Sequence, residues 1–261
     1  AEAAAEAVLP KVRQAEKTGL LALRECQLQS LPPAAASPSL QKLRTADLSM
    51  NKLQELPQSV AFWKNLKTLN CSRNRLTGLP EAIGAWTKLQ KLDLSRNRLE
   101  SLPVAMCQLG SLKKLNLCSN CLGPNPPDVF GGSMAEAMED LDLSENGLKV
   151  LAPSLFALRR LGRLRLCGNE LRALPEELGG LEQLWSLDAS ENFLTGVAAA
   201  VLSAPSLSEL CLADNPVERQ ALQMEPALEG LLRRRQARID NILVSKVGPV
   251  VIDLRLFGLD G

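Results

Sequence analysis

Leu89-Gln-Lys-Leu92-Asp-Leu94-Ser-Arg-Asn97-Arg-Leu99 carries the frame Leu-x-x-Leu-x-Leu-x-x-Asn-x-Leu, which returns along most of the chain. Its asparagine recurs as Asn51, Asn74, Asn97 and Asn120 at intervals of 23 residues, as Asn146 after 26, and as Asn169, Asn192 and Asn215 at 23 again. A unit of this length cannot close a core by itself, so each copy must bury its leucines against the next. The asparagine falls in the turn that leaves a short strand, where its amide can satisfy backbone groups of neighbouring coils, each costing about 1–3 kcal/mol if buried unpaired. Cys26 occupies the equivalent position one copy earlier, in Leu21-Ala-Leu23-Arg-Glu-Cys26-Gln-Leu28. A small, weakly polar thiol also fits such a turn.

This period and frame are those of a leucine-rich repeat. The fold class expected is α/β: a solenoid with a curved parallel sheet on its concave face and short helical or 3-10 turns on its convex face. The return half of each copy supports that, with apolar residues every third position: Pro57, Val60, Trp63, Leu66; Pro80, Ile83, Trp86, Leu89; Pro103, Met106, Leu109, Leu112; and Pro175, Leu178, Leu181, Leu184. Proline has no donor to lose and a preset φ, so it is expected in the first turn of these short helices.

The ladder from Cys26 to Asn215 leaves no room for a linker, so one elongated domain is expected in the 261 residues. It divides into an N-terminal capping helix over 1–19, repeats over 20–216, a C-terminal capping helix over 217–247 and an apolar tail over 248–261. A net charge of +1 gives no general attraction to nucleic acid or anionic membrane. No stretch approaches the roughly 18–20 apolar residues of a spanning helix. The start, Ala1-Glu-Ala-Ala-Ala-Glu-Ala7, lacks both an initiator Met and a signal-peptide core, and reads as a processed or incomplete beginning.

The chain has no histidine and no tyrosine. That removes the commonest general base and the commonest zinc ligand together. With no Gly-rich phosphate loop and no ligand cluster, no catalytic residue, metal or cofactor is expected. Seven scattered cysteines suggest a reducing compartment rather than a disulfide framework, so a cytoplasmic setting is expected, the alternative being an organelle interior after processing. Cys118-Ser-Asn120-Cys121 spells C-x-x-C, but it lies inside a repeat frame with no second ligand pair.

Function in a solenoid is read from side chains that leave the core. One outward column, Ala22, Asp47, Asn70, Asp93, Asn116, Asp142, Arg165, Asp188 and Cys211, alternates acid with non-acid from Asp47 onward. Strands about 4.8 Å apart would bring consecutive carboxylates into repulsion, and alternation doubles that spacing. Charge is also segregated lengthwise. Arg73, Arg75, Lys91, Arg96, Arg98, Lys113 and Lys114 lie in the N-terminal half; Asp140, Asp142, Glu145, Asp188, Glu191, Glu209 and Asp214 lie further along, interrupted by Arg163 and Arg165. Such polarity can orient an oppositely charged partner. The expected concave partner-binding residues are therefore Arg73, Arg75, Lys91, Arg96, Arg98, Lys114, Asp142, Glu145, Asp188 and Glu191. The basic set lacks the interleaved aromatics that stack bases, so no nucleic-acid partner is expected.

At the ends, Val8, Leu9 and Val12 form the apolar side of an alanine-rich helix closed by Gly19. After Asn215 a second helix carries Leu228, Leu231, Leu232, Ile239, Ile242 and Leu243, crossed by Arg233-Arg-Arg235 and Arg238. Such a basic amphipathic helix could touch a membrane surface, but its place directly after the last repeat calls for capping. The long interval between Asn120 and Asn146 contains Gly123-Pro-Asn-Pro-Pro127 and Gly131-Gly132, which forbid a regular helix and predict a surface loop. In the tail, Ile252, Leu254, Leu256 and Phe257 read as a strand with one apolar face that must dock on the solenoid or on a partner.

The prolines and the frame over residues 20–216 resemble the cytoplasmic leucine-rich repeat proteins of the Ras-suppressor and SHOC-2 type. Ala15-Glu-Lys-Thr-Gly19, Leu28-Gln-Ser-Leu31-Pro32 and Leu43-Arg-Thr-Ala-Asp47-Leu48-Ser are similar to the start of the leucine-rich repeat-containing protein 57 family. That resemblance implies a non-enzymatic protein. The family's Met-Gly start, suited to myristoylation, is not seen here, and the tail departs from the family pattern. The function expected is a protein-binding scaffold or adaptor using the concave face and the tail, the alternative being a permanent structural subunit of a large cytoskeletal or organellar assembly.

Overall fold

The computed structural model describes residues 2–245. Helix α1 (Glu2–Thr18) leads into nine three-residue strands: β1 (Leu20–Ala22), β2 (Thr45–Asp47), β3 (Thr68–Asn70), β4 (Lys91–Asp93), β5 (Lys114–Asn116), β6 (Asp140–Asp142), β7 (Arg163–Arg165), β8 (Ser186–Asp188) and β9 (Glu209–Cys211). They pair in chain order into one parallel sheet. The result is the leucine-rich repeat solenoid that the period predicts. The middle residue of every strand points inward and is buried, and these residues stand in register: Leu21, Ala46, Leu69, Leu92, Leu115, Leu141, Leu164, Leu187 and Leu210. The residues before and after it face out.

Each ladder asparagine ties the backbone of two successive coils together. The Asn97 amide donates to the carbonyls of Cys71 (3.0 Å) in the preceding coil and of Leu94 (2.9 Å) in its own, and its Oδ1 accepts the N–H of Leu76 (3.1 Å). Asn51, Asn74, Asn120, Asn146, Asn169, Asn192 and Asn215 repeat the donor pattern. Cys26 has no coil before it, and its thiol keeps one backbone bond, to Arg24 O, while Lys11 of α1 donates to its sulfur.

The convex side explains the spacing of three. Val60 N–H donates to Pro57 O, Trp63 N–H to Val60 O and Leu66 N–H to Trp63 O, a chain of i→i+3 bonds that keeps every third side chain on one face. Val60, Trp63 and Leu66 are all fully buried, as are Ile83, Trp86 and Leu89 in the next copy. Trp63 and Trp86 stack with centroids 6.1 Å apart. The prolines sit one residue earlier than expected. Pro57, Pro80, Pro103 and Pro175 precede their 3-10 helices in an extended conformation, with φ between -73 and -59 and ψ between 141 and 154. Their fixed φ serves the bend into the helix, and their carbonyl accepts its first bond.

Two further expectations need correction. In α1 the buried side is Val8, Val12 and Ala15, while Leu9 is 41% exposed, because it lies about 100° round the helix from Val8, off that stripe. Gly19 does close the helix, with φ +74 and its N–H on Ala15 O. The long interval also differs from a simple surface loop: Val129 and Phe130 turn into the core and a 3-10 helix resumes at Gly132–Glu136. Gly123 passes so close to the Gly147 carbonyl that no side chain fits there.

At the far end lie α2 (Ala199–Leu202), α3 (Arg219–Gln223) and α4 (Pro226–Ser245). Leu231 is buried and Leu228 partly so, but Leu232 is exposed. Arginines supply much of the docking of α4. Arg234 donates to the carbonyls of Leu202 and Leu207, and Arg238 stacks on Trp185 at 3.7 Å beside Glu209. The tail residues Ile252, Leu254, Leu256 and Phe257 lie outside the described residues.

Replacing Asn97 by Ala leaves the buried N–H of Leu76 without a partner and takes one of two donors from the carbonyls of Cys71 and Leu94, which keep Asn74 and Asn120 respectively. We expect a loss of about 1–3 kcal/mol, read as a lower denaturant midpoint at an unchanged m-value; a midpoint equal to wild type would contradict the role given to the ladder.

Candidate partner-binding surface

The expected concave site residues fall into four parallel columns rather than one face, two on the strands, one in the turns and one beyond them. Lys91, Lys114, Asp142 and Asp188 are on the strands and face outward. Arg73, Arg96, Glu145 and Glu191 stand in the turn beyond the strand ends, immediately before the ladder asparagine. Arg75 and Arg98 follow that asparagine, further round the same edge. All six turn and edge residues are exposed.

The turn column is held in an unusual backbone conformation. Met50, Arg73, Arg96, Ser119, Glu145, Glu191 and Asp214 all have φ between 53 and 58, a left-handed region that non-glycine residues seldom adopt. What holds it is a second ladder of main-chain bonds: Arg73 N–H to Ser95 O, Arg96 N–H to Cys118 O, Glu145 N–H to Cys167 O and Glu191 N–H to Ala213 O, at 2.8 to 2.9 Å. The side chains of this column are thus fixed at their roots along one rim.

The alternating acidic column has a structural use that spacing alone does not reveal. Oδ1 of Asp47, Asn70, Asp93, Asn116, Asp142 and Asp188 each accepts the backbone N–H two residues on, and in four of the six the serine hydroxyl there as well. Such a turn uses one side-chain oxygen, so Asp and Asn serve equally. Interleaving them retains the turn while halving the charge. The motif Asp/Asn-x-Ser, visible in the repeats, is the signal that identifies this role.

A groove of about 360 Å³ crosses the concave face from β3 to β7 and gathers Lys91, Asp93, Lys114, Asp140, Asp142 and Arg165. Its two halves differ. Asp140 is paired with Arg165 at 3.0 Å and Arg163 at 3.4 Å, and Asp142 with Arg165 at 3.7 Å. Lys91 and Lys114 form no ion pair with a described residue. In the column of first strand residues the sign changes between Lys114 and its register partner Asp140. In the turn column it changes from Arg96 through Ser119 to Glu145, over the same pair of coils, where Ser119 donates to Glu145 at 2.7 Å. The sign thus changes over the same pair of coils in both columns: Asp140 and Asp142 are paired with arginines, whereas Lys91 and Lys114, like Glu145, Asp188 and Glu191, form no ion pair with a described residue, and Asp93 lies in the groove with the two lysines.

Among the described residues no group of three or more candidate metal ligands converges, and no helix is long and apolar enough to cross a membrane. The cysteines are free. Burial pushes the thiols of Cys118, Cys167 and Cys211 up from their ordinary range, and drives that of fully buried Cys71 higher still, with Asp47 and Asp93 adding to the effect.

The leucine-rich repeat family model matches residues 38–99, 64–122 and 136–194, together more than half of the chain. The chain belongs to the leucine-rich repeat family. No curated protein sequence matches it. Among solved structures it is similar to PEPR1–AtPEP1, at 34% identity and a TM-score of 0.61 over 71% of this chain and 26% of that one. It is also similar to an internalin, InlF, from Listeria monocytogenes, at 17% identity and a TM-score of 0.66 over 82% of this chain and 58% of that one. A third likeness is to the Toll–Spatzle complex of Drosophila, at 21% identity and a TM-score of 0.64 over 76% and 30% of the two chains. The last two likenesses concern the fold alone, and this chain spans between 26% and 58% of the length of the three.

Two outcomes follow from this geometry. Arg234→Ala should cost about 1–3 kcal/mol by leaving the Leu202 and Leu207 carbonyls unpaired, seen as a lower thermal midpoint and earlier proteolysis in 226–245; unchanged proteolysis would show that α4 is held without Arg234. A thiol reagent at neutral pH should label exposed Cys121 quickly and Cys71 only after unfolding, so labelling of native Cys71 at a rate like that of Cys121 would contradict its burial.

Proposed function

We propose that the protein is a non-catalytic scaffold or adaptor that binds a protein partner across the concave groove and the adjoining turn rim. The carrying observation is the basic half: Lys91 and Lys114 in the groove and Arg73 and Arg96 on the rim lie outward on rigid backbone, without an ion pair to any described residue, and outnumber the one carboxylate among them, Asp93. A partner segment bearing carboxylates along its basic-facing side supplies the missing charge. The Asp140–Arg165 cluster, already paired, sets the register at which the partner's charge must end. Rigid presentation favours this reading, because little side-chain order beyond the long cationic arms is lost on binding.

The complex of PEPR1 with AtPEP1 supports the reading by likeness, since that solved structure pairs a similar solenoid with a second molecule. The absence of histidine from the sequence supports a non-catalytic role, and seven free cysteines support a reducing, cytoplasmic compartment. The proline-headed copies favour kinship with the Ras-suppressor and SHOC-2 type. On this reading no nucleic acid is bound, and the 248–261 tail adds a second contact.

Lys91→Glu combined with Lys114→Glu should release the partner, since both side chains leave the sheet and carry little core energy. Affinity capture from a native lysate at low salt, quantified against wild type, is the measurement. We expect the stoichiometric partner to fall about tenfold or more with an unchanged melting curve; full retention of that partner would remove the groove from the interface.

A further inference from the structure

The edge of the solenoid that precedes the strands, opposite the Arg73–Arg96 rim, holds a second cationic feature. Lys17 at the end of α1, Lys42, Arg44, Lys67 and Lys88 line one groove of about 600 Å³, with Thr18, Gly19 and Asn65 completing its wall. No carboxylate lines it. None of the five cations forms an ion pair with a described residue, and only Lys88 makes a side-chain hydrogen bond, to Asn65 Oδ1 at 2.7 Å. Asn65 is in turn fixed by its own donation to Gln41 O at 2.8 Å, so Lys88 is held pointing along the groove.

The repeat arranges these residues as a small lattice. Lys42, Asn65 and Lys88 precede one buried leucine in successive coils, while Arg44 and Lys67 follow it, so charges recur every one or two coils, about 5 to 10 Å apart. The backbone carbonyls beside them are already occupied: Gly19 O accepts Arg44 and Thr45 N–H, and Arg44 O accepts Lys67 and Thr68 N–H. They offer the cations little. Gly19 keeps the first coil open, because a Cβ there would meet Lys42 O at 2.7 Å. Further along the same edge the pattern ends, with Lys113 neutralised by Glu139 at 2.9 Å. In the first coils the unmatched positive charges stand together and form a concavity.

We propose that this groove binds a compact ligand carrying several phosphate groups, either a free polyphosphorylated small molecule or the headgroup of a polyphosphorylated lipid. Five cations within one groove call for a comparable negative charge in a short span. Each phosphate carries close to two charges and three acceptor oxygens, which lysine matches as a point charge and arginine as a fork. An acidic peptide, with one charge per residue, would have to run far along the edge to match it. No aromatic side chain lines the groove, so it offers no base-stacking platform. This site is independent of the concave-face reading and can fail or hold without it.

The test is calorimetric titration of the full chain with inositol hexakisphosphate, and flotation with vesicles containing phosphatidylinositol bisphosphate against vesicles of equal charge made with phosphatidylserine, all at about 150 mM salt. Arg44→Glu with Lys67→Glu should weaken binding about tenfold or more, whereas Arg96→Glu with Arg98→Glu, on the other edge, should change it less than about threefold. Matching melting curves for both variants exclude misfolding. Binding of the soluble probe alone assigns a free ligand; preferential flotation with the bisphosphate lipid assigns a headgroup. The proposal is overturned if neither probe binds, if both double variants lose binding equally, or if an octaglutamate peptide binds as tightly as inositol hexakisphosphate.

Discussion

A three-residue strand has almost nothing to hold it in place except its neighbours, and the whole structure depends on how the backbone leaving that strand is satisfied. The ladder asparagine answers this with one side chain per coil. Its amide reaches carbonyls in two successive coils and its oxygen takes an N–H from the earlier one, so the turn becomes as fully bonded as the sheet. The left-handed residue before it then donates to the next coil. Two orthogonal sets of bonds, amide and main-chain, therefore lock each turn, and a run of non-glycine residues can occupy a conformation that would otherwise be costly.

Because those turns are rigid, side chains on them are displayed at fixed intervals, and a sequence pattern becomes a surface pattern. Arg73 and Arg96, Lys91 and Lys114 are rows rather than scattered charges. The sign change in both rows falls at the coil lengthened by residues 123–131. There the insertion tucks Phe130 into the core, so the extra length adds packing without breaking the sheet. Within the groove Asp140 and Asp142 spend their charge internally, on Arg163 and Arg165, whereas Lys91 and Lys114 do not pair with a described residue and are left for a partner.

The repeat, the strands, the 3-10 turns and the asparagine ladder are legible in the sequence because each follows from a period, and a period is a local property repeated. What is not legible depends on where neighbouring columns meet. Proline's place before the helix rather than in it, and Leu9's exposure, turn on a shift of one residue. The Asp/Asn column reads as charge management until the serine two residues on is seen to share its oxygen. Arg234 and Arg238 read as basic residues crossing a helix that caps with its leucines, yet they themselves bind the last coils, because the end of a solenoid presents free carbonyls as well as an apolar face. Likewise Lys42, Arg44, Lys67 and Lys88 look unremarkable in each copy, and become a groove only when α1 brings Lys17 beside them.

The central claim is that the basic half of the concave groove and its rim form the interface with a protein partner. Hydrogen–deuterium exchange on the protein alone and with its captured partner tests it most directly. The account predicts added protection in β3 to β5 and in the turns around Arg73 and Arg96, with little change in the convex 3-10 helices. Protection confined to the convex segments, with β3 to β5 unaltered, would contradict it.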